Sequence, residues 1–245
     1  MEQKIVEAIR HWSHRTGLSN LRVRAALIDM DGTLYDSMPN HTASWYMLMS
    51  EIGVDCTRDE FYLYEGMTGS STITRLFQRQ WHKQPSVHEI EELYHRKTVY
   101  FNTLPKAQPV PGAQQVVSRL MCDGITTVLV TGSGQPSVLD RLDTEYPGAF
   151  PPQHRVTACN VTHGKPHPEP YLKGMELAGV TPWQSMVIEN APIGVQSAVA
   201  SGAFTIAVTT GPIPAETLSE AGADLVIDSM ESLASVLPTI LKHIK

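Results

Sequence analysis

VRAALIDMDGTLYDS, residues 23–37, is the stretch that decides how the rest of the chain is read. Val23 to Ile28 form a short apolar run bounded by charge, the pattern of a strand buried on both faces. The run ends on Asp29, and Asp31 follows two residues later. Gly32 then supplies a tight turn that folds Asp31 back toward Asp29. Two carboxylates held side by side destabilise a site, because each like charge disfavours ionisation of the other. Such a pair implies a cation between them or a proton in transit. Asp-Gly also occurs in ordinary turns, so the meaning of the pair rests on the residues around it.

Upstream, Ile5, Val6, Ile9 and Trp12 fall on one helical stripe within residues 3–15, which ends before Gly17. This short amphipathic helix is expected to pack on the main domain. His11 and His14 within it are expected to face solvent. Downstream of Ser37 and Pro39 the character changes. Helical patterns run through 40–52, 58–65, 70–82 and 86–102, with breaks at Gly53, at Gly66-Met67-Thr68-Gly69 and at Pro85, and no strand intervenes. This reads as an inserted helical unit of roughly 65 residues, near the lower end of domain sizes. Pro105, Pro109 and Pro111 mark the return.

From Pro111 onward helices and apolar strands alternate: helix 112–122, strand 125–130, helix 135–145, strand 155–159 and helix 168–178. Strand 185–188, helix 192–201, strands 203–208 and 224–227, and a last helix over 230–243 follow. Alternation of this kind implies right-handed βαβ units and one parallel sheet, to which strand 23–28 also belongs. The expected fold is α/β, a Rossmann-like parallel sheet flanked by helices and interrupted by a helical cap. Its expected divisions are an N-terminal helix over 1–21, a core of 22–37 plus 109–245, and a cap over 38–108.

Composition narrows the function. Of 245 residues 42% are hydrophobic and 18% charged, an ordinary globular balance. A net charge of −6 argues against nucleic acid or an anionic membrane as the principal partner. The three cysteines, Cys56, Cys122 and Cys159, are odd in number and far apart, which suggests reduced thiols and a cytoplasmic setting. Charge in the first turns argues against a signal peptide. No apolar run approaches the ~20 residues that cross a bilayer. Monomer or weak homodimer is the expected state.

In an open parallel sheet, ligands gather at the carboxyl ends of the strands. Those ends carry Asp29-Met30-Asp31, then Thr131-Gly132-Ser133-Gly134, then Glu189-Asn190, with Gly164-Lys165-Pro166 opening a helix. Each has a structural counterpart: a strand-to-helix turn, a solvated lysine, a capping glutamate. Together they match phosphoryl transfer, which needs a nucleophile, donors for phosphate oxygens and a cation for developing charge. Aspartate serves as such a nucleophile by forming an aspartyl-phosphate. A magnesium ion on oxygen ligands makes the carboxylate pairing feasible.

The series D-x-D-G-T, T-G-S, G-K-P and an acidic strand end followed by A-P-x-G-V-x-x-A resembles the haloacid dehalogenase (HAD) superfamily. More narrowly it is similar to the β-phosphoglucomutase-like branch, over about residues 22 to 243. The resemblance implies a nucleophile at Asp29 and a general acid/base at Asp31. It implies phosphate contacts at Thr131, Gly132 and Ser133, and charge neutralisation by Lys165. It implies magnesium held by Asp29, Asp31, Glu189 and Asn190. Asn190 departs from the family's second acid, and weaker magnesium binding is expected from the missing charge.

The cap is expected to select the substrate, a sugar or polyol phosphate, with His41 and Thr68 as further contacts. In the mutase pattern His41 lies in the expected place, ten residues after Asp31. The positions that carry a lysine and an arginine for the distal anion hold Glu65 and Gly69. A phosphatase is therefore expected, with a phosphosugar mutase as the alternative; Arg75 or Lys83 remain as other sources of cap charge. A dinucleotide-binding oxidoreductase is disfavoured, because Ser137 takes the place of a third glycine after Gly132 and Gly134. A non-catalytic binder on the same scaffold has only Asn190 in its favour.

Overall fold

The computed structural model describes residues 1–133 and 136–244. Six parallel strands form one sheet in the order β3-β2-β1-β4-β5-β6. They are β1 (Ala25–Ile28), β2 (Thr126–Val130), β3 (Arg155–Val156), β4 (Ser185–Glu189), β5 (Phe204–Val208) and β6 (Leu225–Ile227). The strand that opens the sequence reading lies at the centre, in register with β2 through Ile28↔Leu129 and with β4 through Ile28↔Ile188. Every residue of β1, β4 and β5 is buried. Continuous apolar runs, rather than alternating ones, are what a sheet covered on both faces requires.

The covering helices are α1 (Glu2–Thr16), α5 (Ala113–Cys122), α6 (Pro136–Glu145), α7 (Glu169–Ala178), α8 (Pro192–Ala200), α9 (Ala215–Glu220) and α10 (Met230–Ile244). The order of strands reverses between β1 and β4, so the crevice outside their carboxyl ends is the ligand position of an open α/β sheet. The expected sheet is present with two differences. The strand expected over 155–159 is two residues long, because Ala158–Asn160 turns and Thr157 and Asn160 cap one another. The short α9 lies between Pro214 and Gly222; at six residues it is too brief to show a helical period.

Between β1 and β2 the chain leaves the sheet to form α2 (Met38–Glu51), a 3-10 turn at Asp59–Tyr64, α3 (Gly69–Trp81) and α4 (Val87–Thr103). The 3-10 turn occupies the segment expected to be helical over 58–65. These elements enclose their own apolar cluster of Trp45, Leu48, Phe61, Ile73, Leu76 and Leu93. The two connecting strands run side by side: Asp36 N–H donates to Gln108 O at 2.9 Å, Val110 N–H to Leu34 O at 2.9 Å, and Tyr35 bridges Pro109.

Helix α1 buries Ile5, Ala8 and Trp12 against the edge of the sheet. The Trp12 indole donates to Gly202 O at 3.0 Å, and Arg15 reaches Asp224, Val199 O and Ala203 O. His11 is exposed and also contacts Asp224. The helix is therefore part of the core domain. Trp12→Ala, which empties a fully buried site, is expected to lower the unfolding free energy by about 3–5 kcal/mol, read by chemical denaturation. An unchanged midpoint would mean that α1 merely rests on the surface. Among the described residues no helix is long and apolar enough to cross a membrane.

Candidate active site

The carboxyl ends of β1, β2 and β4 bring four of the expected motifs to one crevice. Asp29 directly follows β1, and its N–H donates to Ile188 O across to β4. Lys165, from the loop before α7, is buried, with Nζ 2.5 Å from Asp29 Oδ1, 2.7 Å from Glu189 Oε1 and 3.2 Å from Val130 O. The two carboxylates raise the Lys165 pKa despite its burial. Thr131, buried after β2, points its hydroxyl toward Asp31 Oδ2 at 3.4 Å and also accepts from Ser133 N–H at 2.9 Å. Gly132 and Ser133 line the same cavity, whereas Gly134 lies outside the described residues.

Glu189 has its oxygens occupied by protein donors. Oε1 accepts from Lys165 and from the buried Tyr171 hydroxyl at 2.9 Å; Oε2 accepts from the N–H groups of Asn190 and Ala191 at 2.8 and 2.9 Å. The A-P-x-G stretch has a physical reason here, since a Cβ on Gly194 would overlap the Glu189 carboxylate. Only glycine lets α8 sit that close.

Asn190 faces the cap. Its Oδ1 accepts from Thr33 Oγ1 at 3.0 Å and its Nδ2 donates to Glu65 Oε1 at 2.6 Å. Glu65, at the end of the 3-10 turn, is therefore directed into the core's acidic cluster and is buried. Gly32 (φ +81°) makes the approach possible, because a Cβ there would overlap both the Asn190 amide and the Glu65 carboxylate. Gly69, which starts α3, packs its backbone on the Tyr94 ring. Arg75 stacks on Tyr64 at 5.1 Å and Lys83 pairs with Glu89 at 2.8 Å, so neither of these cations is directed at the crevice. Thr68 spends its hydroxyl on capping α3, accepting from Ser71 N–H at 3.1 Å, and lies outside the cavity lining.

On the other side, Asp31 Oδ1 accepts from Ser37 Oγ at 2.6 Å and contacts His41 Nε2 at 3.0 Å. The second ring nitrogen of His41 lies 2.7 Å from Lys97 Nζ. With the lysine as donor, Nδ1 accepts and Nε2–H donates to the aspartate. Lys97 has no counterpart among the expected residues. It is buried on α4 between Leu93 and Phe101, with its ammonium 4.9 Å from the Phe101 ring and 5.4 Å from Trp45. A lysine spaced four residues from apolar neighbours on each side, on the stripe that faces a core, is the sequence signal for it.

The electrostatics follow from this geometry. Burial raises the Asp29 pKa to about 8, helped by Glu189 and Asp31 and opposed by Lys165. Burial alone would also raise Asp31, but His41, Ser37 and Lys97 bring it down to about 2. Burial lowers Lys97 to about 7, with Asp31 opposing. Burial and Lys97 lower His41, again against Asp31. Glu65 is raised well above the usual carboxylate range, by burial first and then by Asp29, Glu189 and Asp31, with the Asn190 bond opposing. Four buried carboxylates (Asp29, Asp31, Glu65, Glu189) crowd two buried amines, Lys97 and Lys165. That crowding raises Asp29 and Glu65, and a divalent cation on hard oxygen ligands would relieve it. The donor set therefore fits magnesium.

The crevice is lined by Asp29, Asp31, His41, Glu65, Lys97 and Thr131 among others.

Comparison with known proteins agrees with the geometry. The family model described as haloacid dehalogenase-like hydrolase matches residues 26–208. Hexitol phosphatase A of Escherichia coli is 31% identical over 213 residues, 87% of this chain and 94% of that protein. Glycerol-1-phosphate phosphohydrolase 2 of Saccharomyces cerevisiae is 28% identical, covering 87% and 85%. A solved structure from Bacteroides vulgatus, provisionally assigned as a β-phosphoglucomutase, is 42% identical over the whole of both chains with a TM-score of 0.96. With its parallel sheet, helical insert and buried Asp29–Lys165–Glu189 cluster, the chain belongs to the haloacid dehalogenase-like hydrolases, in their β-phosphoglucomutase-like branch.

Proposed function

We propose that the protein is a magnesium-dependent phosphatase of small phosphorylated metabolites, working through an aspartyl-phosphate at Asp29. The observation that carries this reading is the convergence of Asp29, Asp31, Thr131 and Lys165 on one crevice crowded with buried carboxylates. Magnesium, when bound, neutralises the carboxylates and draws charge from the transferring phosphoryl group. Asp29, the Asp31 backbone carbonyl and the Asn190 amide oxygen would hold it, and Glu65 would supply the carboxylate that Asn190 lacks. Glu189 braces Lys165 and reaches the ion less directly, since its oxygens already serve four donors.

Asp29 attacks phosphorus while Lys165 and the Thr131 hydroxyl hold the phosphate oxygens. Asp31, ionised in the resting site, passes to the leaving oxygen a proton drawn from His41 Nε2–H and then takes one from the water that hydrolyses the intermediate. His41 and Lys97 fix the orientation of Asp31 and set its charge. Gly132 and Ser133 complete the phosphate cradle. Cap opening about the paired linkers at Ser37–Pro39 and Pro105–Pro111 admits substrate, and closure excludes water.

The relatives named hexitol phosphatase and glycerol-1-phosphate phosphohydrolase support sugar and polyol phosphates as the substrate class. A phosphosugar mutase remains the second reading because the Bacteroides vulgatus neighbour carries that provisional assignment. A mutase must also hold a distal phosphate, and at the corresponding positions Glu65 is turned toward the acidic cluster and Gly69 has no side chain.

The test is phosphate release, with and without magnesium, from a panel that includes glycerol 1-phosphate, inorganic pyrophosphate, hexitol and hexose phosphates, and β-glucose 1-phosphate with a bisphosphate activator. Phosphate release from sugar or polyol phosphates that chelation abolishes, and that Asp29→Asn lacks, is the expected result. Isomerisation of β-glucose 1-phosphate without phosphate release would establish the mutase instead. Undiminished turnover in Asp29→Asn would end the covalent mechanism.

A further inference from the structure

We propose that His163, His167 and Glu169 form a second metal site, for a zinc-class divalent ion, on the outer face of the loop that carries Lys165. One ligand atom from each of the three residues lies within 4.8 Å of those of the other two. His163 Nδ1 is already 2.9 Å from Glu169 Oε2, and the two imidazole rings stack at 4.7 Å between centroids. The carboxylate is positioned by the backbone: Thr162 N–H donates to Oε1 at 2.7 Å and His163 N–H to Oε2 at 2.9 Å. The backbone beneath is held in turn, with Ser197 Oγ donating to His167 O at 2.7 Å and Lys165 fixed to Asp29 and Glu189. One ligand is thus preset on a braced loop. The two histidines are exposed; His167 Nδ1 accepts from Glu169 N–H at 3.2 Å, which leaves its Nε2 to meet an ion from solvent.

The ligand chemistry separates this site from the catalytic one. Two imidazoles and one carboxylate with an open fourth position suit zinc and its neighbours, whereas magnesium prefers hard oxygen ligands. A tetrahedral ion with bonds of ~2.1 Å needs its ligands ~3.4 Å apart, and rotation of the two exposed side chains supplies that closing distance. The ion would take the place of the hydrogen between His163 Nδ1 and Glu169. It would tie residues 163–169 into one closed ring around Lys165. It would do so without touching the catalytic cavity.

The experiment is titration of the full chain with cobalt(II), read by its visible d–d absorption, and with zinc by calorimetry, both in saturating magnesium. One equivalent is expected, with intense tetrahedral-type cobalt bands. His163→Ala/His167→Ala is expected to weaken binding by more than tenfold, the low end of the loss from disturbing even an outer-sphere partner. Its magnesium-dependent activity and melting temperature are expected to match the parent. Glu169→Gln, whose single amide oxygen accepts from only one of the Thr162 and His163 N–H groups, is also expected to weaken binding, and its melting temperature beside the parent's separates ligand loss from loop unfolding. Equal uptake by parent and both variants, or no saturable uptake by the parent up to millimolar metal, would overturn the proposal.

Discussion

Lys165→Met is expected to lower turnover by about 10²–10³ or more, the range seen on losing one preorganised group that stabilises a developing charge. It is also expected to destabilise the fold by about 3–5 kcal/mol, the usual consequence of removing one partner from a buried ion pair. Both effects have one origin. Lys165 Nζ is the shared partner of Asp29 at 2.5 Å and Glu189 at 2.7 Å, and both carboxylates are buried. Without the ammonium the two acids face one another across the gap, and the Asp29 pKa, already raised to about 8, loses the largest influence that holds it down. The nucleophile would then keep its proton to still higher pH. Initial rates over pH separate this from mere unfolding, because the alkaline rise of the residual activity should lie at higher pH than the parent's. Magnesium is expected to recover part of the lost stability, since a divalent ion offsets the same carboxylates. A Lys165→Met protein with parental turnover and melting temperature would remove the lysine from the mechanism.

How much of this was legible in the sequence differs by residue. Asp29, Asp31, Thr131, Glu189 and Asn190 each sit at or beside the end of a buried apolar strand, and Lys165 lies in the loop that opens the helix after β3, so local patterns place them all at one edge of a sheet. The structure brings them together for that reason. Glu65 was legible only as an acid where a substrate-binding lysine was expected. Its direction depends on how the cap docks on the core, through a contact with Asn190 that spans 125 positions of the chain. No local periodicity carries that information. Lys97 was missed for a different reason. The helix containing it was expected, but a lysine on the apolar stripe is read as a solvated side chain unless its partners, His41 and Asp31, are known to lie opposite. Thr68 shows the converse case. A hydroxyl beside a cap loop looks like a substrate contact, while the start of α3 requires a cap and uses it. The strand at 155–159 was overextended because Thr157-Ala158-Cys159 passes as β-prone until Asn160 closes the turn.

Glu65→Gln is expected to raise the magnesium concentration for half-maximal activity by about 10–100-fold, the range associated with disturbing a metal's supporting ligands. The substitution keeps the shape and the bonding to Asn190 but removes the charge that would replace the family's missing acid. Restoring that acid on the core side tests the exchange directly. In the Glu65→Gln background, Asn190→Asp is expected to recover most of the loss, whereas Asn190→Asp alone adds a fifth carboxylate and is expected to destabilise the metal-free protein. The pH dependence follows with a fixed sign. Asp29 near 8 and the raised Glu65 hold protons that a cation must displace, so magnesium affinity should rise from pH 6 to pH 8. Glu65→Gln should flatten that slope by about one proton. The same protons govern stability without metal. The native protein keeps the Asp29 proton up to about pH 8, while the unfolded chain gives it up near the ordinary value of 3.8. The native state therefore binds more protons in that window, and its unfolding free energy falls as pH rises. His41, whose pKa is lowered, opposes the trend below ~6.5, where the unfolded imidazole is charged. Lys97, lowered to about 7, opposes it above that pH; two raised carboxylates outweigh the one opposing group in each range, and magnesium should abolish the decline. Melting temperatures from pH 5 to pH 8, with and without the ion, decide the matter: a metal-free protein that grows more stable across that range would mean Glu65 and Asp29 are not crowded as the geometry requires.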